Sequence, residues 1–100
     1  MIGSTDWRRT FPSSAAAEHV REYLTSALRA LEGAQIGAAI ELLGGSRWRD
    51  EIDMEGVPEK VLSATQSKID RARSYLREKP DPDITSAKDE VMDALALWAA

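Results

Sequence analysis

Two apolar stripes separated by Lys79-Pro80-Asp81-Pro82-Asp83 constrain this chain more than any other feature. Before the break, Leu62, Thr65, Ile69, Ala72 and Leu76 follow in steps of three and four, with Val61 alongside. After it, Ile84, Ala87, Val91, Ala94 and Trp98 repeat that spacing. Such steps return side chains to one face of an α-helix. Proline lacks a backbone N–H and biases its predecessor away from helical backbone, so two prolines in three residues must end the first helix. A connection this short favours antiparallel neighbours, so the two helices are expected to form a hairpin. Pro58 suits the first turn of the earlier helix, and Asp83 or Thr85 suits the cap of the later one.

The N-terminal half carries the same period less evenly. A helix is expected after Pro12, with Ser13 or Ser14 meeting its first free N–H groups. Its face runs Ala17, Val20, Leu24, Ala27 and Leu31, widened by Leu28. At Gly33 the larger apolar residues shift to Ile36, Ile40 and Leu43, which predicts a break or strong kink and a short second helix ending at Gly44-Gly45. No stretch alternates with period two, so strands are not expected. The expected fold is all-α: a compact four-helix bundle whose third and fourth helices form an antiparallel hairpin, with a long loop at 44–56 between helices 2 and 3. Residues 1–12 read as an N-terminal arm and 13–100 as one helical-bundle domain. With 43% hydrophobic residues in 100, the chain can build a core without the disulfides that its lack of cysteine forbids.

Gly33 and Gly37 fit G-x-x-x-G, a spacing that admits close backbone approach. Packing inside the monomer, at the tightest point of the bundle, is the expected use, with a self-association face as the alternative. The stretch 33–40 is too short to span a bilayer, and the first residues lack the apolar core of a secretory signal. A cytoplasmic location, without membrane association, is the expectation.

Formal charge is −4, unfavourable for bulk nucleic-acid binding. It is unevenly spread. Residues 57–79 hold six basic and three acidic side chains, a balance of +3, while 83–98 hold one lysine and four acids, a balance of −3. Packed side by side, the two segments offset each other. The basic residues Lys68, Arg71, Arg73 and Arg77 therefore read as a solvated, balanced face before they read as a phosphate footprint. Asp89, Glu90 and Asp93 likewise read as a solvated acidic face.

Catalytic chemistry finds little to work with. The single histidine, His19, lies near Glu18 and Glu22, but one isolated pair does not make a carboxylate–histidine metal centre. It reads as a surface residue on a solvated face. No G-x-S-x-G or comparable nucleophile signature occurs. Neither catalytic residue nor metal ligand is assigned, no cofactor is expected, and the chain reads as a non-enzyme.

The informative stretch is Gly44-Gly45-Ser46-Arg47-Trp48-Arg49-Asp50-Glu51, which repeats the Trp-Arg pairing of Trp7-Arg8-Arg9. Both indoles fall outside the expected helices. Three readings are open: the indoles plug the bundle ends, they anchor a protein partner, or they stack on unpaired bases. Tryptophan and arginine dominate protein-binding hot spots. The acids Asp50, Glu51, Asp53 and Glu55 would repel a phosphate backbone. Trp7, Arg8, Arg47, Trp48, Arg49, Asp50 and Glu51 are therefore the candidate partner-binding residues. They imply a small acidic protein-binding module: an adaptor, a regulator, or an inhibitor or immunity-type protein. A nucleic-acid-associated regulator using the Trp-Arg pairs and the third-helix basics is the second reading. A self-assembling subunit, with a homodimer as its simplest form, is the third.

Overall fold

The computed structural model describes residues 15–50, 54 and 56–98. Among them five helices and no strand occur: α1 Ala15–Glu32, α2 Ile36–Leu42, α3 Arg47–Asp50, α4 Glu59–Leu76 and α5 Ile84–Trp98. The chain is all-α and compact. The fifth helix, α3, falls inside the segment expected to be an irregular loop. Four residues are too few to carry a period, and an isolated turn of this length has no stability of its own. Its helix exists because of what it packs against. The expected N-terminal arm at 1–12 and the caps Ser13 and Ser14 lie outside the described residues.

The most extensive helix contacts join α5 to α4 and α5 to α1, so α5 is the central element. Its buried side chains are Ala87, Val91, Ala94 and Trp98, as the spacing predicts. From α4 come Leu62, Thr65, Ile69, Ala72 and Leu76. From α1 come Val20, Leu24, Ala27 and Leu31, joined by Ala16, Ala17 and Ala30. Full burial of each Val, Leu or Ile in this set contributes roughly 1.5–3 kcal/mol.

The ends of these helices are closed by specific bonds. Asp83 caps α5: the Ser86 backbone N–H donates to Oδ1 at 3.0 Å and the Ser86 hydroxyl to Oδ2 at 2.8 Å. These two bonds stabilise the carboxylate and hold its pKa below the usual 3.8. The Asp83 N–H in turn donates to the Tyr75 carbonyl at 3.0 Å, tying the proline-containing turn to the last turn of α4. At the other end of α5, Arg21 of α1 donates from Nη1 to the Trp98 carbonyl at 2.8 Å. That carbonyl is one of four that a helix end leaves without an internal partner.

The break after α1 falls where expected but is built differently. Gly33 ends the helix without adopting left-handed backbone; Ala34 does, with φ +57°. The Ala34 N–H donates to the Leu31 carbonyl at 3.0 Å and the Gln35 N–H to the Ala30 carbonyl at 2.8 Å, the two bonds of a Schellman closure. A position that usually holds glycine holds alanine, one residue after a glycine. Nor do Gly33 and Gly37 form the tightest point of the interior, as the G-x-x-x-G reading expects. Both are exposed. Among the described residues, a Cβ on Gly37 would meet nothing within 4 Å, and one on Gly33 would meet only ordinary contacts, the nearest at 3.6 Å.

Candidate functional site

The site begins with a pair of consecutive residues on α4. Successive residues on a helix point about 100° apart, so Thr65 and Gln66 face two different neighbours. Thr65 is fully buried toward α5; its hydroxyl accepts from Trp98 Nε1 at 2.7 Å and donates to the Val61 carbonyl at 2.8 Å. Gln66 faces α3, where its Oε1 accepts from Trp48 Nε1 at 2.7 Å. Its amide nitrogen donates to the Gly45 carbonyl at 3.1 Å and to Asp70 Oδ1 at 3.0 Å. The two indoles then meet edge to face, with centroids 6.1 Å apart and planes inclined by 73°. This is a preferred geometry for aromatic pairs, worth about 0.5–1.5 kcal/mol beyond the area buried.

Trp48 is 1% exposed. Its indole is thus buried in this arrangement, as the plugging reading, one of the three left open, expects. The reason is chemical: a large apolar ring with one donor finds a matched acceptor and an aromatic partner in the same place. What Trp48 pins is α3. Gly45 reaches the turn with φ +57°, a conformation that suits glycine. Ser46 stands before the helix and its hydroxyl donates to both Asp50 carboxylate oxygens, at 3.0 and 3.1 Å.

The flanking charges stay at the surface. Arg47 is exposed and donates from Nη1 to the Glu41 carbonyl at 3.2 Å, bridging α3 to α2. Arg49 is half-buried, its guanidinium carbon 5.7 Å from the centroid of the Trp48 ring. Asp50 is exposed. The structure therefore brings Arg47, Arg49 and Asp50 together around a buried tryptophan. Trp7, Arg8 and Glu51 lie outside the described residues, as do Asp53 and Glu55. Gln66 was missed by the sequence reading, because nothing distinguishes a bracketing glutamine from a solvated one on a helix.

Other candidates resolve individually. Lys68 faces α5, 3.8 Å from Glu90 and 3.6 Å from Asp93, as expected for oppositely charged neighbours. Among the described residues Arg71, Arg73 and Arg77 take part in no such pair. His19 departs from the solvated-face expectation: it is half-buried, its Nε2 enclosed without a hydrogen-bond partner among the described residues, and its ring lies 6.2 Å from that of Tyr23. No group of three or more potential metal ligands gathers among the described residues. No helix there is long and apolar enough to cross a membrane. Comparison with protein-family models, with curated proteins and with solved structures finds no match.

Proposed function

We propose that this chain is a small, acidic, non-enzymatic protein-binding module of the cytoplasm, acting as an adaptor, a regulator, or an inhibitor or immunity-type protein. Its contact surface is α3 with the adjoining acidic segment and the N-terminal arm. In this reading α4 and α5 form an antiparallel hairpin, and α1 and α2 complete a four-helix bundle that α3 decorates. The observation that carries the reading is the pinning of α3. A buried tryptophan, held by Gln66 and Trp98, fixes a one-turn helix whose Arg47 and Asp50 remain exposed. Surface charge on a preorganised element loses little entropy on binding. The mixture of arginine and carboxylate suits a protein rim better than a phosphate backbone.

The test is affinity capture from lysate of the source cells, with and without nuclease, using wild type and an Arg47→Ala/Arg49→Ala double variant. Neither substitution removes core volume, so the variant is expected to fold, which circular dichroism checks. A nuclease-resistant protein captured by wild type and lost by the variant supports the proposal. Capture abolished by nuclease overturns it in favour of nucleic acid, and equal capture by both proteins moves the contact away from α3.

A further inference from the structure

We propose that the groove between α2 and the last turn of α4 docks an acidic peptide that carries a large apolar side chain. The inference rests on the reading of the chain as a protein-binding module but uses a face that α3 does not share. Ile36 and Ile40 stand one turn apart on α2 and are only half-buried. With Leu76 of α4 and the prolines 80 and 82 they line a cleft of about 480 Å³. That volume falls within the ~300–1,000 Å³ of ordinary binding clefts, enough to seat one large side chain.

The charges beside this cleft select the rest of the partner. Arg77, Glu78 and Lys79 line the cleft itself. Arg77 and Glu78 also line a second concavity of about 460 Å³, with Asp70, Arg73 and Ser74. The two concavities share Arg77 and Glu78 in their linings. Taken together, the two linings hold three cations and two carboxylates, on a chain whose net charge is −4. One of the carboxylates, Asp70, already accepts from Gln66. Arg73 Nε is enclosed with no acceptor among the described residues, a donor that a carboxylate would satisfy. Last-turn arginines also complement the α4 dipole, but that role requires no apolar cleft beside them. Nucleic acid fits less well. Among the described residues no aromatic side chain lines either concavity for base stacking, and two carboxylates would oppose a phosphate chain.

The experiment is selection from a displayed library of random peptides on the folded chain, with affinities of enriched peptides then read by fluorescence anisotropy. The variants are Arg77→Glu, Arg71→Glu as an exposed control outside the groove, and the Arg47→Ala/Arg49→Ala pair on α3. Circular dichroism confirms that each is folded. The proposal expects enriched peptides with Asp or Glu beside Leu, Ile, Phe or Trp. It expects affinity about tenfold or more weaker in Arg77→Glu, from a contact turned repulsive, and little changed in the other two. Absence of enrichment, or equal binding by Arg77→Glu, overturns it. Loss on the α3 variant alone overturns the groove while leaving a protein-binding module standing. Arg77-dependent binding of a short oligothymidylate, with no acidic peptide selected, overturns it in favour of phosphate.

Discussion

The α4–α5 seam and the α2–α3 flank are built on opposite terms. Along the seam, every residue of both apolar stripes from Leu62 to Leu76 and from Ala87 to Trp98 is buried, and the turn between the helices is locked by the Asp83 cap. On the flank, α2 buries only Ala39 within its seven residues, and α3 buries only Trp48. The seam is held by area, which is distributed and non-directional. On the flank, α3 is held by one buried indole and by directional bonds converging on Gln66. The difference teaches where this molecule concentrates stability and where its surface is placed by small polar contacts.

The largest effect that separates the two regions is expected from Trp98→Ala. It removes a fully buried indole from the seam and leaves a cavity, for a loss of about 3–5 kcal/mol by urea denaturation. A loss below about 1 kcal/mol would mean the seam does not carry the fold. Gln66→Ala strikes the flank: it deletes the acceptor for Trp48 and the donor to Gly45, for about 1–3 kcal/mol. Amide exchange should rise at 44–50 while α4 and α5 stay protected. Uniform loss of protection would mean the two regions are one cooperative unit.

A smaller effect of opposite sign is expected at the end of α1. Ala34→Gly relieves a left-handed alanine, which costs roughly 1–2 kcal/mol, offset by about 0.4–1 kcal/mol of added unfolded-chain entropy. The net result is a modest rise in melting temperature; a fall would mean that the Ala34 methyl packs. The smallest effect concerns Asp83. Its folded-state pKa is depressed by the Ser86 bonds, so its contribution is present above the unfolded value and is lost as pH falls through the folded one. Asp83→Ala should therefore lower the melting temperature near neutral pH and do progressively less below the ordinary carboxylate range. A pH-independent deficit would contradict the cap.

The seam was legible because its message is redundant: ten positions in two stripes repeat one spacing, and prolines 80 and 82 mark the end of one helix. The break at Gly33 was legible as well, but its left-handed residue was not, since nothing in the sequence says that Ala34 occupies the position glycine usually takes. The flank was hardly legible. Whether Trp48 faces water or the core depends on Gln66 and Trp98, 18 and 50 residues away in the sequence, and no local pattern encodes that meeting. The expectation that Gly33 and Gly37 pack inside the monomer failed for the complementary reason. Small residues permit close approach without requiring it, and at Gly37 no other described residue of the chain comes into contact. Of the candidate site, Arg47, Arg49 and Asp50 do gather at one place, while the tryptophan between them turns inward.

The most direct measurement is solvent exchange of the Trp48 indole proton, followed by NMR in wild type and in Gln66→Ala. Burial together with the 2.7 Å bond to Gln66 predicts strong protection in wild type, lost in the variant, with the Trp98 indole proton protected in both. A Trp48 indole proton that exchanges as fast as free indole in wild type would contradict the account. It would return Trp48 to the surface as an exposed anchor and leave α3 without its pin.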